Sequence, residues 1–252
     1  MTRKLFHIGW IGLSAMAIIF FVAGKTAPSK EHLPAKAEQT REPYLPPDVI
    51  KAVYATSDTA LSKRINELKD IAQKTEINAI VINVNDGISD IGRLRAVVQE
   101  LNDLKIHTIA RLVVFQNNSL ALAHPEFAIK TRGGSLWQDS GGQYWIDPAN
   151  QKAWAEILNL SRKAFNIGFR EINFDYIRFP SSGTLDSAVY NTYDRKIKKN
   201  EVINGFAKFI TEKLKAEFPD IILTADVFAH VLLVNDDAGI GQKFTEIVDY
   251  FD

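Results

Sequence analysis

The feature that most constrains this chain is a regular alternation of short apolar strands with amphipathic helices, which begins at Asp48. Strands that are separated by single helices form parallel sheets with right-handed crossovers. The predicted strands are 51–56, 78–85, 107–115, 169–177 and 221–228, and 247–251 is the predicted start of a sixth. Helices are predicted at 58–74, where Asp58 is the expected N-cap, and at 90–104, 149–167 and 192–218.

Two α/β architectures fit this alternation, an open doubly wound sheet and a TIM-type (β/α) barrel. No predicted strand is followed by the GxGxxG fingerprint of the dinucleotide-binding open fold. A body spanning 48–252 lies at the lower limit of length for a barrel, and only about six strands can be counted. The predicted fold is therefore a TIM-type (β/α) barrel that is truncated after about six strands.

The N-terminus carries a predicted membrane-targeting segment at 5–24, an apolar run that follows Arg3 and Lys4. About 20 helical residues span the hydrocarbon core of a bilayer, and the basic flank marks the cytoplasmic side. An uncleaved transmembrane anchor and a cleaved signal peptide both remain open. In either case residues 48–252 are expected outside the cytoplasm, at the cell membrane or secreted, after a Pro-rich linker at 25–47.

Composition excludes several classes of function. The chain has no cysteine, so disulfides, thiolate zinc sites and cysteine nucleophiles are ruled out. Residues 1–47 hold six basic and three acidic residues of a formally neutral chain, which leaves the body slightly acidic and argues against nucleic acid as a partner. The five histidines are too scattered along the sequence to predict a metal site, and no cofactor is expected.

Alternation within the strands sorts their residues onto two faces. One face is apolar and is expected to pack on the helices, whereas the other is polar and is expected to point into the barrel. The inward set consists of Asn83, Asn85, Arg111, Asn173, Asp175 and Asp226. A buried Arg–Asp network that holds the strands in register would explain part of this set, and that alternative stays open.

Asp175 and Asp226 lie at the ends of adjacent strands, where the active sites of barrels are built. Two carboxylates that flank one cavity are what glycosidic cleavage requires. The long connection 116–147 contributes the aromatic residues Trp137, Tyr144 and Trp145 beside this edge. Such residues suit stacking on sugar rings, although a loop of this length also needs a small core of its own.

Several motifs occur together in a fixed order: HTIARLVVF at 107–115, HPE at 124–126, WIDP at 145–148, FDYIRFP at 174–180 and ADVF at 225–228. In this arrangement the chain resembles a bacterial family of TIM-barrel domains, long catalogued as of unknown function, whose glycoside hydrolase activity is inferred from distant likeness to known glycosidases. The resemblance runs from about Val53 to the last residue. Asn85-Asp86-Gly87 matches the family's turn after the second strand only in part, and the family continues beyond the sixth strand.

The resemblance implies that Asp175, on the fourth strand, is the nucleophile and that Asp226 is the acid/base. Arg111 would keep Asp175 ionised. The expected substrate is an envelope or extracellular polysaccharide, and the predicted substrate contacts are Asn83, Asn173, Trp137, Tyr144, Trp145, Tyr176 and Arg178. Tyr176 is the weakest of these, since alternation points it at the helices. A non-catalytic carbohydrate-binding or scaffold protein on a degenerate barrel is the alternative, and a metal-dependent deacetylase is a third option.

Overall fold

The computed structural model describes residues 44–84, 90–234 and 236–252. Its centre is a sheet of five parallel strands in the order β1-β2-β3-β4-β5. Neighbours in the sheet are neighbours along the chain, whereas a doubly wound sheet reverses its order at a switch point. The predicted class, an α/β fold of the TIM-type barrel kind, is confirmed. The strands are β1 (Ala52–Ala55), β2 (Ala79–Asn83), β3 (His107–Val113), β4 (Glu171–Asp175) and β5 (Ile222–Ala225).

Helices connect consecutive strands on one side of the sheet. They are α1 (Ser57–Ala60), α2 (Ile65–Lys74), α3 (Ile91–Asp103), α4 (Asn118–Ala123), α5 (Gln151–Ile167), α6 (Lys199–Glu217) and α7 (Phe244–Ile247). The long ones begin and end where local chemistry dictates. Asp90 caps α3 by accepting a hydrogen bond from the N–H of Arg93 at 2.8 Å, and α5 ends at Gly168, whose φ of 128° suits glycine.

The single helix predicted at 58–74 is wrong, because the segment divides into α1 and α2. Thr56, not Asp58, caps α1 by accepting from the N–H of Thr59. The hydroxyl of Ser62 bonds to the carbonyl of Thr59 at 2.9 Å and accepts from the N–H of Arg64 at 3.1 Å. These local side-chain bonds compete with helical pairing and interrupt the helix.

The predicted start of a sixth strand at 247–251 is also wrong. Residues 244–247 form α7, and Val248–Tyr250 continue as a 3-10 turn. A short apolar run does not distinguish a strand from a helical turn by periodicity alone, and here Ile247 is buried by the turn. Backbone pairing with the sheet resumes only at Asp252, whose N–H donates to the carbonyl of Leu223 at 2.9 Å.

The two faces of the strands separate as predicted. Ile80, Ile82, Ile172, Phe174 and Leu223 are fully buried beneath the helices. The other face is only partly buried at Asn83, Arg111, Asn173, Asp175 and Thr224. Charged and amide groups therefore line the concave side of the sheet, which is the interior of the barrel.

Tyr44, which the sequence places in the linker, packs against the N-terminal end of this interior. Its hydroxyl bonds to His107 Nδ1 at 2.8 Å, its ring stacks on the imidazole, and the Arg170 guanidinium lies 4.4 Å from the ring centroid. The predicted targeting segment at 5–24 and the linker residues 25–43 lie outside the described residues. Within the part of the chain that the structure describes, no helix is long and apolar enough to cross a membrane.

Candidate active site

Asp175 is the last residue of β4 and is held by Arg111 on the adjacent strand β3. Arg111 Nε donates to Asp175 Oδ2 at 3.0 Å, and Nη2 donates to the same oxygen. The other oxygen, Oδ1, accepts from the N–H of Tyr176 at 2.6 Å. The two side chains are 20% and 19% exposed, so this ion pair lies at the rim of the interior within reach of solvent. Both oxygens of the Asp175 carboxylate are therefore held by hydrogen bonds.

Asp226 follows β5 at the level of Asp175. The register pairs Phe174 with Ala225, and the N–H of Asp226 continues the ladder by donating to the carbonyl of Phe174 at 2.9 Å. Asp226 Oδ1 accepts from Asn173 Nδ2 at 3.2 Å, and the same nitrogen donates to Thr224 Oγ1 at 3.3 Å. The two carboxylates thus belong to neighbouring strands, face the same side, and have different partners.

The surroundings of Asp226 favour its protonated form. Partial burial of the carboxyl group raises its pKa, and the negative charges of Asp175 and Glu171 act in the same direction. The hydrogen bond from Asn173 and the charge of Arg111 oppose the shift without cancelling it. The side chain of Asp226 nevertheless remains exposed to solvent, so its carboxyl group is accessible.

Arg178 and Tyr176 lie beside the carboxylates. Tyr176 has a φ of 54°, and this left-handed turn at the strand end takes its ring out of the alternation that the sequence predicted. The ring packs edge-on to Trp145, with centroids 6.0 Å apart. The guanidinium of Arg178 lies 5.1 Å from the ring centroids of both Trp145 and Tyr176, and 5.6 Å from that of Phe228. Burial lowers the pKa of Arg178, an effect that neighbouring Tyr176 and Asp175 oppose.

The aromatic residues of the long loop serve mainly to pack it. Trp137 is 2% exposed and Trp145 is 1% exposed, so neither presents an open face to a ligand. Their indole N–H groups donate to Thr184 O at 3.2 Å and to Asp139 Oδ2 at 2.9 Å. Tyr144 is partly buried and lies opposite Gln138 in the loop's small antiparallel pairing. The loop-core interpretation therefore accounts for the two tryptophans.

Asn83 joins the site through Arg111, whose Nη1 lies 3.5 Å from Asn83 Oδ1. Asn85, its predicted companion, lies outside the described residues. The structure thus brings together Asn83, Arg111, Asn173, Asp175 and Asp226 at one edge of the sheet. Among the described residues there is no group of three or more His, Asp or Glu side chains placed to hold a metal ion.

Other residues of the interior were missed by sequence reasoning. Glu171 is 4% exposed and bonds to His107 Nε2 at 2.7 Å, and His107 is fully buried. Strand alternation places Glu171 on the face of Asn173 and Asp175, a signal that could have identified it. The exposed rings of Tyr54 and Phe228 also lie near the site, each with a guanidinium within 6 Å, those of Arg111 and Arg178 respectively.

Comparison with known proteins identifies likenesses in sequence and in fold. A family model described as "Putative glycosyl hydrolase domain" matches residues 88–252. The crystal structure of a hypothetical protein from Ruminiclostridium thermocellum ATCC 27405 is 31% identical, with a TM-score of 0.59, and the match covers 70% of this chain and 97% of that one. None of the curated protein sequences matches this chain.

A more distant likeness joins the chain to a GH31 dextranase from Flavobacterium johnsoniae, solved in complex with isomaltotriose. The two are 15% identical with a TM-score of 0.50, and the match covers 73% of this chain but only 26% of the dextranase. At this identity the likeness shows a shared fold and nothing of the substrate.

Proposed function

Since the chain belongs to the family of glycosyl hydrolase domains whose model it matches, we propose that it cleaves glycosidic bonds of an envelope or extracellular polysaccharide. The observation that carries the proposal is the pair Asp175 and Asp226, which lie at the same level of adjacent strands and have different hydrogen-bond partners. The guanidinium of Arg111 donates to Asp175, whereas partial burial raises the pKa of Asp226. An ionised carboxylate and a protonated one, facing the same side, are the two groups that glycosidic cleavage uses.

The proposed reaction proceeds in two steps. Asp226 donates its proton to the glycosidic oxygen while the carboxylate of Asp175 attacks the anomeric carbon, so that the leaving sugar departs as an alcohol and a glycosyl ester forms on Asp175. The ionised Asp226 then takes a proton from water, whose oxygen attacks the anomeric carbon; the bond from that carbon to Asp175 breaks, and the sugar leaves with the carboxylate of Asp175 restored.

The spacing of the strands supports this retaining route over an inverting one. Neighbouring strands lie about 4.8 Å apart, so the backbones of Asp175 and Asp226, which stand at the same level, are close together. Retaining glycosidases hold their carboxyl groups about 5–5.5 Å apart, whereas inverting enzymes leave about 6.5–9.5 Å for a water molecule. The adjacency of β4 and β5 is consistent with the shorter separation, and on this ground we propose the retaining route.

For the sugar contacts, we propose the polar residues Asn83 and Asn173 together with the aromatic and cationic surface of Tyr176 and Arg178. Trp145 supports that surface from beneath because it is buried against both side chains. Trp137 and Tyr144 hold the loop in place. Amide and guanidinium groups suit hydroxyl-rich ligands because each offers several hydrogen-bond donors.

The test is hydrolysis by the full chain and by Asp175→Asn and Asp226→Asn, with Asp186→Asn, an exposed residue of the neighbouring loop, as the matched control. The probes are soluble bacterial polysaccharides and aryl glycosides with good and poor leaving groups. Asp175→Asn should lose all turnover. Asp226→Asn should lose about 10²–10⁴-fold on poor leaving groups and much less in the first step with activated ones, which need no proton.

Retained hydrolysis in Asp175→Asn would contradict the assigned nucleophile. If the native chain binds a polysaccharide of the panel and hydrolyses none, the non-catalytic carbohydrate-binding alternative is correct. In that case Asp175 and Arg111 form a structural ion pair, and Asp175→Asn should lower thermal stability instead.

We also propose that residues 5–24 deliver residues 48–252 to the outside of the cytoplasmic membrane, as an anchor or a cleaved signal. The apolar run and its basic flank support this location. Cell fractionation of the full chain with a C-terminal tag tests it. Recovery of the intact chain in the cytoplasm would refute it, and N-terminal sequencing of the exported form would separate the anchor from the signal.

A further inference from the structure

A continuous chain of hydrogen bonds crosses the barrel interior from its N-terminal end to Asp226. We call it the interior hydrogen-bond chain. Tyr44 O–H bonds to His107 Nδ1 at 2.8 Å, and His107 Nε2 bonds to Glu171 Oε2 at 2.7 Å. Thr224 Oγ1 donates to Glu171 Oε1 at 2.5 Å. Asn173 Nδ2 completes the chain by donating to both Thr224 Oγ1 and Asp226 Oδ1.

The directions of the bonds between Glu171 and Asp226 follow from the donors and acceptors of the residues that join them. Thr224 Oγ1 donates to Glu171 Oε1, so the single proton of the Thr224 hydroxyl points to Glu171. The hydroxyl oxygen is then left as an acceptor for its other neighbour, Asn173. The NH₂ group of Asn173, and not its carbonyl, must therefore face Thr224 and Asp226.

The bonds between Tyr44, His107 and Glu171 form the other part of the chain. His107 Nε2 lies 2.7 Å from Glu171 Oε2, and a carboxylate oxygen accepts, so an N–H at Nε2 donates to Glu171 while Nδ1 faces the Tyr44 hydroxyl at 2.8 Å. Glu171 thus accepts from both sides, and 4% exposure leaves its carboxylate little access to water. A buried carboxylate with two donors is the fixed point from which the whole chain takes its polarity.

We propose that Glu171 is a positioning residue for Asp226: through Thr224 and Asn173 it fixes Asp226 Oδ1 as a hydrogen-bond acceptor and so leaves the proton on Oδ2, facing the substrate. This inference rests on the function proposed for Asp226. If the carboxylate of Glu171 were replaced by a group that also donates, the Thr224 hydroxyl could turn and the Asn173 amide could rotate. Its carbonyl would then face Asp226 and compete with the glycosidic oxygen for the proton.

The charges around Asp226 are those of Asp175 and Glu171 on β4 and Arg111 on β3, with Arg178 beyond Asp175. On its other side Glu171 faces His107 and Tyr44. The negative charge of Glu171 raises the pKa of Asp226. In Glu171→Gln the lost charge alone would lower the pKa of Asp226, whereas rotation of Asn173 would remove the hydrogen bond that lowers it. That bond contributes more than the charge of Glu171, so the proposal expects the pKa of Asp226 to rise.

The experiment is a carboxyl ¹³C NMR titration of the full chain in mild detergent, labelled at its aspartates and without any substrate. The Asp226 resonance is assigned by its loss in Asp226→Asn. Glu171→Gln should raise the pKa of Asp226 and change the side-chain amide shifts of Asn173, which are followed with labelled asparagine. The matched control is Glu246→Gln. Glu246 lies on α7, away from the site, and its carboxylate also accepts from two asparagines, Asn200 and Asn204 of α6. This variant should leave both signals unchanged.

A folded Glu171→Gln in which the pKa of Asp226 falls or stays unchanged would overturn the proposal, since the lost charge alone lowers this pKa and a merely structural Glu171 leaves it unmoved. If Glu171→Gln does not fold, Thr224→Val and Thr224→Ser decide. The valine breaks the chain one bond from Asn173 and should shift the Asn173 amide and the Asp226 titration, whereas the serine restores the hydroxyl and the native signals. Equal signals in the two Thr224 variants would refute the proposal. Because no turnover is measured, failure here and failure of the hydrolysis test are distinguishable.

Discussion

Asp139 is the residue whose removal should most clearly loosen the loop beside the candidate active site. It is 9% exposed and accepts four hydrogen bonds. Two come from the side chains of Gln116 at 2.8 Å and Trp145 at 2.9 Å, and two from the backbone N–H groups of Gly141 at 2.9 Å and Gln143 at 3.0 Å. Asp139→Ala removes all four acceptor contacts at once.

The expected cost of Asp139→Ala follows from which donors are left without water. The indole N–H of Trp145 is buried, and an unpaired buried donor costs about 1–3 kcal/mol. The Gln116 bond to a charged group contributes about 1.5 kcal/mol more, while the turn at Gly141 is exposed and can be hydrated. We therefore expect the free energy of unfolding to fall by about 3 kcal/mol, which for a body of this size lowers Tm by about 6–12 °C.

The loss should also depend on pH. Burial acts to raise the pKa of Asp139, but hydrogen bonds from Gln143, Trp145, Gln116 and Gly141 outweigh it and lower the pKa. A carboxyl group whose folded pKa is lowered stabilises the fold fully above its unfolded pKa of about 3.9, and this contribution is lost as pH falls through the folded value. The difference between Asp139→Ala and the native chain should therefore be largest at neutral pH and shrink below about pH 4.

Urea unfolding at pH 7 and pH 3.5, followed by tryptophan fluorescence, measures both effects. Asp186→Asn, an exposed aspartate of the adjacent loop, is the control and should change the free energy of unfolding by less than about 0.5 kcal/mol. A loss below about 1 kcal/mol for Asp139→Ala at pH 7 would show that the Trp145 indole finds another acceptor, and the reasoning from Asp139 would fail.

Three further outcomes are expected. Tyr44→Phe keeps the ring that stacks on His107 but loses the hydroxyl bond, and should lower the free energy of urea unfolding by about 1 kcal/mol. Tyr44→Ala also loses the ring and should lower it by at least about 2 kcal/mol. Equal losses in the two variants would contradict this reasoning. Gly241→Ala places a Cβ 2.8 Å from atoms of α6 at a φ of 85°, and should lower Tm more than Gly239→Ala, which has a φ of 70° and open space. Asp226→Asn should leave thermal stability at pH 7 unchanged or raise it. A carboxyl group whose pKa is higher in the folded than in the unfolded state makes the fold less stable as pH rises between those two values, and asparagine does not ionise. A destabilisation beyond about 1 kcal/mol would indicate a structural carboxylate.

Much of the fold could be predicted from the sequence because it rests on local periodicity. The alternation of strand and helix predicted the parallel sheet, and alternation within strands predicted that Ile80 and Phe174 face the helices while Arg111 and Asp175 face inward. The register could not be predicted in detail, yet Asp175 and Asp226 came to the same edge because both follow or end parallel strands.

The predictions failed where a contact distant in sequence, or a single backbone angle, overrides local pattern. The helix predicted to begin at 192 starts at Lys199, because Asp147 accepts the N–H groups of Thr192 at 2.6 Å and Tyr193 at 3.1 Å and holds them in the loop. Tyr176 leaves the strand alternation through a positive φ that a period of two residues does not encode.

By itself the sequence determined the fold class, the inward polar face and the position of Asp175 and Asp226 at the ends of adjacent strands. Each of these depends on spacing between residues that are close along the chain. Only the tertiary structure decided that Trp137 and Trp145 are packed inside their loop, and that Tyr44, His107 and Glu171 join Asp226 in one hydrogen-bond chain. Tyr44 and His107 are 63 positions apart, and His107 and Glu171 are 64 apart. Residues so far apart in sequence meet only when the parallel strands and the segment before them pack together. No local sequence pattern specifies such a contact.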